Sequence, residues 1–414
     1  MNNLIVVMPG SKSYTNRALI MAALTKGQVT LENPLFSDDT EAMITCLTKL
    51  GIMIKKEKNK LIVENDISVI QDRRHELDAD LSGTTIRFIL ALSCIVPGQK
   101  RIFGKEGLNK RPIEDLVLAL KTAGAQIEYE DKQGFPPVIV KSSFLPNGNI
   151  VINGSVSSQF VSALLMISPI IDGVTIEVSG NQISKSYIDI TISMMKDWGV
   201  EVENFDYKKY VIAKNQNYKM KKYIIEGDYS AAGYFFAVAA LNKFTLTVEN
   251  LNPNSVQGDR RFLKILEEMG NKIIYGSNEV TIKGNGVKPV EVDMEECPDQ
   301  AQTLAVLAAF ADGKSVLTGV RSLRVKETER VKALQAELGK MSIITESPDH
   351  DTLAIFGGSP KPAEIDTYND HRMAMSFAVA QTSIPEIKIR NPEVVNKTFP
   401  EFWMKLAQIA VKFT

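Results

Sequence analysis

Short polar stretches run straight into small-residue apolar stretches at six places along this 414-residue chain. The polar stretches begin at Pro9, Leu81, Ser155, Gly227, Pro298 and Asn369, so the starts lie 71 to 74 residues apart. The apolar runs behind them cover 18–24, 88–92, 160–166, 234–241, 304–310 and 373–379. Their crowded Ala, Leu, Met and Phe predict helices that are apolar all round and therefore buried. A second pattern recurs in phase with the first. Leu, Ile and Met at i, i+3 and i+4 predict amphipathic helices over 38–51, 111–124, 187–199, 258–270, 325–340 and 398–409. Several of these stop at a glycine, the usual left-handed helix end. Residues 4–8, 126–129, 200–203 and 272–275 read as strands.

Each repeat is thus a strand–loop–helix–strand–loop–helix–strand unit of an α/β protein. Even spacing of this kind separates a true repeat from ordinary α/β alternation. One such unit cannot bury its sheet face and both helix stripes alone, so units must stack. Six units make two domains of three, each around a shared helical core. The polar loops then collect at one end of each domain, and residues hundreds apart, such as Lys12 and Arg372, are expected to meet in a cleft between the domains.

Composition narrows the function. Apolar content of 44% and charged content of 23% fit a globular protein with no bilayer-spanning run. Lysine plus arginine (48) balances aspartate plus glutamate (49), so no global field draws in nucleic acid or an anionic membrane. Any anion site must be local. Three scattered cysteines, Cys46, Cys94 and Cys297, argue against a disulfide framework and for a reducing cytoplasm. With no basic region before a long apolar core at the N-terminus, no secretory leader is expected. Three histidines without ligand spacing argue against a His- or Cys-built metal site.

Candidate chemistry sits in the polar loops. In Pro9-Gly10-Ser11-Lys12-Ser13-Tyr14-Thr15-Asn16-Arg17, a turn, two cations and a helix start form a receptor for phosphate or carboxylate. The alternative is a plain turn with Ser13 or Thr15 as a cap. Lys12, Arg17, Arg87, Arg111, Lys326, Arg330, Arg372 and Lys397 recur at equivalent places beside these loops. Ser157, Ser158 and Gln159 are capping groups or donors to phosphate and sugar-like hydroxyls. Asp299 stands at a helix start, as cap or base. Glu327 and Arg330 are three apart and are predicted to share a helical face, as an exposed ion pair or as a proton-transfer group among cations. The Gly-x-x-x-x-Gly-Lys-Ser/Thr phosphate loop is absent, which speaks against nucleotide-driven phosphoryl transfer.

Taken together, the ordered motifs resemble the 5-enolpyruvylshikimate-3-phosphate synthase family of enolpyruvyl transferases over nearly the whole chain. They are Pro9-Gly10-Ser11-Lys12-Ser13 with Asn16-Arg17, Ser155-Val156-Ser157-Ser158-Gln159-Phe160, Ser184-Lys185-Ser186-Tyr187-Ile188-Asp189, Gln257-Gly258-Asp259, Arg324-Val325-Lys326-Glu327-Thr328, Asn369-Asp370-His371-Arg372-Met373-Ala374-Met375 and Lys397-Thr398-Phe399-Pro400. The resemblance implies an α/β fold of two similar domains, each of three βαβαββ repeats packed around buried helices. The domains implied are 1–9 plus 227–414 and 10–226. It further implies transfer of the enolpyruvyl group of phosphoenolpyruvate to the 5-hydroxyl of shikimate 3-phosphate, without metal or organic cofactor.

Carried over by motif, Lys12, Ser13, Arg17, Ser157, Ser158, Gln159, Ser184, Tyr187, Asp299, Ser322 and Lys326 hold shikimate 3-phosphate. Lys12, Gly83, Arg111, Gln159, Arg330, Arg372 and Lys397 hold phosphoenolpyruvate. Asp299 and Glu327 carry protons with Lys12 assisting. A cytoplasmic monomer with no nucleic-acid or membrane partner is expected. Three departures stand out. Leu81 and Phe88 replace an asparagine and a proline at positions bearing on glyphosate response. Ser322 replaces an asparagine, so one substrate contact is expected to be shorter or water-mediated. The brief N-terminus implies a short first strand. The related UDP-N-acetylglucosamine transferases use a cysteine-bearing loop, and 104–111 has no cysteine. A non-catalytic scaffold for acidic partners explains the basic loops but not the acids among them.

Overall fold

The computed structural model describes residues 4–146 and 148–410. All six small-residue stretches are helices: Lys12–Leu24, Gly83–Ser93, Ser158–Ile171, Tyr229–Asn242, Ala301–Ala308 and His371–Gln381. Each is buried around almost its whole circumference, as uniformly apolar helices must be. The first three pack on one another, and so do the last three. Two separate cores result.

Five four-stranded sheets share one topology. Numbered within a repeat, their strands lie in the order 1-2-4-3, with strands 1 and 2 parallel and the other neighbours antiparallel. In Arg74–Asp78, Gln99–Phe103, Ile127–Tyr129 and Val138–Val140, for example, His75 pairs with Lys100 and Ile102 with Val138. A helix fills the crossover between parallel strands, which gives the βαβαββ repeat. The sixth repeat departs from the pattern: among the described residues it has only the parallel pair Glu364–Ile365 and Lys388–Ile389.

The chain divides into one unit of Met1–Pro9 with Glu226–Thr414 and another of Gly10–Ile225. Of the first, residues 1–3 and 411–414 lie outside the described residues. An exchange of first strands explains the discontinuity. Leu4–Val7 supplies the first strand for the repeat that begins at Tyr229, pairing from Leu4 with Leu246 to Val7 with Glu249. Lys222–Ile224 supplies the first strand for the repeat that begins at Lys12, pairing with Thr30–Glu32 in parallel. The opening strand is four residues long, and all four pair.

The second helices follow the predicted pattern with shifted ends. Asp38–Leu50 and Lys185–Asp197 match closely, and Gly51, Gly124, Gly199 and Gly270 take φ between 91° and 113° at the predicted stops. The 111–124 helix is shorter, Glu114–Thr122, with Ile113 at its cap position and Pro112 just before it. The 258–270 and 398–409 helices begin with 3₁₀ turns or loops and become Phe262–Glu268 and Phe402–Ala410. The 200–203 strand moves to Glu203–Phe205.

Candidate active site

Within the unit that begins again at Glu226, four separate segments deliver charged groups to one cluster. Asp299 lies in the 3₁₀ turn Pro298–Gln300, immediately before the Ala301–Ala308 helix. It is not the capping residue of either segment, those places being held by Cys297 and Gln300. Instead Oδ1 accepts from Arg330 Nη1 at 3.2 Å and Oδ2 accepts from Arg372 Nη2 at 2.8 Å. Arg372 Nη1 also donates to the Asp299 carbonyl (3.2 Å) and to the Tyr234 hydroxyl (3.1 Å). Arg330, only 1% exposed, donates through Nη2 to Glu327 Oε2 at 2.9 Å. The other Glu327 oxygen accepts from Lys397 Nζ at 3.0 Å. Behind them Asp370 receives Arg330 Nε at 2.7 Å and Nη2 at 3.3 Å. Lys397, Glu327, Arg330, Asp299 and Arg372 thus form a continuous chain of alternating charge.

Electrostatics follow from that geometry. Burial works against the charge on Arg330, but Asp370, Glu327 and Asp299 together raise its pKa above the ordinary value. Burial pushes the Tyr234 phenol up to about 12, so it is neutral at physiological pH. Ser322 lies in the 3₁₀ turn Arg321–Val325 with its hydroxyl buried and unbonded, and half-buried Lys326 follows that turn.

The Gly10–Ile225 unit gathers the other candidates. Lys12 opens its helix and donates to Asp39 Oδ2 at 3.1 Å. Ser13 and Thr15 lie inside this helix and are not caps; Thr15 Oγ1 donates back to the Ser11 carbonyl (2.8 Å). The Ser13 carbonyl accepts from Arg17 Nη1 at 3.0 Å and the Tyr187 carbonyl from Arg17 Nη2 at 2.9 Å. Ser157 caps its helix by accepting from Gln159 N at 3.3 Å, and Ser158 is buried in the first turn. The Gln159 amide donates to Thr84 Oγ1 at 3.0 Å, and its oxygen accepts from Arg87. Ser184 takes φ of 50° just before the Lys185–Asp197 helix. At Gly83 the Arg111 guanidinium lies so close that a Cβ would sit 2.6 Å from Nη1. A side chain at position 83 would therefore displace the guanidinium from where it stands.

A model of the EPSP synthase (3-phosphoshikimate 1-carboxyvinyltransferase) family matches residues 3–406. The chain belongs to this family. It is 40% identical over 418 residues to the 3-phosphoshikimate 1-carboxyvinyltransferase of Actinobacillus pleuropneumoniae serotype 5b, covering 97% of this chain and 95% of that protein. To the protein of the same name from Vibrio cholerae serotype O1 it is 39% identical over 412 residues, covering 98% and 96%. In fold it resembles an EPSP synthase from Acinetobacter baumannii, with a TM-score of 0.79 at 23% identity over 98% of this chain and 95% of that one.

Two details of this EPSP synthase-family chain differ from the sequence expectation. Glu327 does not share a helical face with Arg330. The helix starts at Arg330, where the Glu329 carboxylate caps it by accepting from Lys332 N at 2.7 Å, so Glu327 reaches Arg330 from the preceding loop. Asp370 and Asp39, which hold Arg330 and Lys12, had no assigned role. Asp370 also accepts from Arg372 N at 2.9 Å, and its place before a helix was its only local signal. The described residues contain no group of three or more His, Cys, Asp or Glu placed to hold a metal ion.

Asp259, from the Gln257-Gly258-Asp259 motif, lies beside this cluster. Ser230 donates to its Oδ2, and Oδ1 is buried without a partner. Burial, then the negative charge of Asp299, pushes its carboxyl up to about 7. A carboxyl that holds its proton more tightly when folded makes stability fall as pH rises from about 4, the unfolded value, to about 7. Asp259→Asn is therefore expected to flatten the decline in melting temperature across that interval. An unchanged slope by calorimetry would assign the titration elsewhere.

Proposed function

We infer that this chain transfers the enolpyruvyl group of phosphoenolpyruvate to the 5-hydroxyl of shikimate 3-phosphate and releases inorganic phosphate. The observation that carries this reading is Asp299 gripped by Arg330 and Arg372, in a chain that matches the EPSP synthase family almost end to end. Both substrates are polyanions, so their approach is opposed unless cations offset the repulsion and fix their orientation. Lys12, Ser13, Arg17, Ser157, Ser158, Gln159, Ser184, Tyr187, Asp299, Ser322 and Lys326 are assigned to shikimate 3-phosphate. Lys12, Gly83, Arg111, Gln159, Arg330, Arg372 and Lys397 are assigned to phosphoenolpyruvate.

In this mechanism Asp299 takes the 5-hydroxyl proton as the oxygen bonds to C2 of phosphoenolpyruvate. Glu327, or Lys12, places a proton on C3, which gives a tetrahedral intermediate. In the elimination C3 returns its proton to Glu327 or Lys12, the bond from C2 to the phosphate ester oxygen breaks, and phosphate leaves with the proton from Asp299. The ion pairs serve this cycle. Each of Arg330, Arg372 and Lys397 already has a carboxylate partner. A bound anion shares those cations and raises the proton affinity of Asp299 and Glu327. Asp299 becomes a stronger base, and Glu327 more readily carries a proton to deliver.

A phosphate-release assay tests the reading. Release is expected only with phosphoenolpyruvate and shikimate 3-phosphate together. Release with UDP-N-acetylglucosamine in place of shikimate 3-phosphate, and none with shikimate 3-phosphate, would overturn it.

A further inference from the structure

Arg17 differs from the arginines of the other cluster in having no carboxylate partner. It is 2% exposed, and among the described residues no acidic side chain lies within ion-pair distance of it. Neutral groups enclose it instead. Nε donates to Thr191 Oγ1 at 2.7 Å, Nη1 to the Ser13 carbonyl, and Nη2 to Ser162 Oγ at 3.3 Å and the Tyr187 carbonyl. The guanidinium carbon stands 5.4 Å from the centre of the Phe88 ring. Phe88 is 1% exposed, and Thr191 and Ser162 are fully buried. Thr191 Oγ1 also lies 2.9 Å from Ser162 Oγ and 3.0 Å from the Tyr187 carbonyl, which fixes both hydroxyls.

Such surroundings solvate a cation without neutralising it. Burial pulls the Arg17 pKa down to about 10, and the facing titratable groups are the phenols of Tyr187 and Tyr14. The side chain stays charged at neutral pH. Four of the five guanidinium N–H groups are used, and one on Nη1 remains. An uncompensated buried charge is costly and is relieved by an anionic ligand. An aromatic face suits this task because it attracts a cation while adding no counter-charge and admitting no water.

We propose that Phe88, Thr191 and Ser162 are positioning residues for the acceptor: they seat Arg17 with neutral groups only, so that its charge is left for the anionic groups of shikimate 3-phosphate. The proposal rests on the assignment of Arg17 to that substrate. It gives Phe88 a positive role in this chain, as the platform under the guanidinium.

Steady-state kinetics with both substrates varied tests it. Phe88→Leu removes the ring face and keeps an apolar side chain. Thr191→Val removes the hydroxyl and keeps the shape. Each is expected to raise the KM for shikimate 3-phosphate roughly three- to thirty-fold, the range of a desolvated cation–π contact or a hydrogen bond to a charge. The kcat should stay within about twofold, the KM for phosphoenolpyruvate should hold, and Thr191→Ser should restore the acceptor KM. Arg17→Met separates the two levels. If it leaves the acceptor KM unchanged, the assignment of Arg17 is wrong. If Arg17→Met weakens the acceptor while Phe88→Leu and Thr191→Val do not, the neutral seat is refuted and the assignment stands. A fall in kcat at unchanged acceptor KM also refutes it. Should Phe88→Leu fail to fold, Thr191→Val alone decides.

Discussion

Asp299→Ala is expected to lower turnover by about a hundredfold or more while shikimate 3-phosphate still binds measurably, the usual effect of removing a positioned base. Both Asp299 oxygens are committed to arginines that are assigned to the other substrate. The acceptor keeps its remaining contacts, so affinity should survive better than rate. One complication is geometric. Without the carboxylate, Arg330 retains Glu327 and Asp370, and Arg372 retains Tyr234. The arginines are therefore still held, and the loss reports on proton transfer more than on collapse of the cluster. Asp299→Asn sharpens the test, because the amide oxygen can still accept from one arginine but cannot take a proton. Phosphate release at saturating substrates gives the rate, and calorimetry gives acceptor binding. Turnover within tenfold of the parent in both variants would remove Asp299 from the mechanism.

The repeat was legible because its signal is local and redundant. Small apolar residues mark a helix that must be buried on every side, and six copies at near-constant spacing leave little freedom in topology. Glycine stops at Gly51, Gly124, Gly199 and Gly270 were equally local. Arg330, Arg372 and Lys397 could be named as cations near loops, and Glu327 as a neighbour of Arg330, but their distant partners could not. Asp370 is 40 residues from Arg330, and Asp39 is 27 from Lys12; only the fold brings such pairs together. Acids before helices also carry an ambiguity. Asp228 does cap, accepting from Ala231 N, whereas Asp299 lies inside its 3₁₀ turn, past the cap position, and turns to two arginines. Pattern reading misleads where a charge points inward. Lys100 occupies a buried position in the Gln99–Phe103 strand, with its ammonium bonded to the Val96 and Ser142 carbonyls at 2.7 Å each. No alternation rule anticipates that.

Asp370→Ala is expected to cost up to about 3–5 kcal/mol of stability, because it removes the most deeply buried of the three carboxylates that meet Arg330. Arg330 and Asp370 are essentially inaccessible to water, and two guanidinium nitrogens meet the two carboxylate oxygens. The same substitution removes the cap on Arg372 N, a loss of about 1 kcal/mol that couples to the first and does not simply add. At roughly 2–4 °C per kcal/mol for a unit of this size, the melting transition of the Glu226–Thr414 unit should fall by about 10 °C. Asp370→Asn should fall less. The amide can keep the cap and one bond to Arg330, whose charge is still met by Asp299 and Glu327. Binding should follow the same order. Freed on one side, Arg330 is drawn toward those two carboxylates, so the KM for phosphoenolpyruvate rises more in Asp370→Ala than in Asp370→Asn, while the acceptor KM changes less. Calorimetry and two-substrate kinetics on both variants check this. Equal melting temperatures across the parent and both variants would mean that Asp370 does not anchor Arg330.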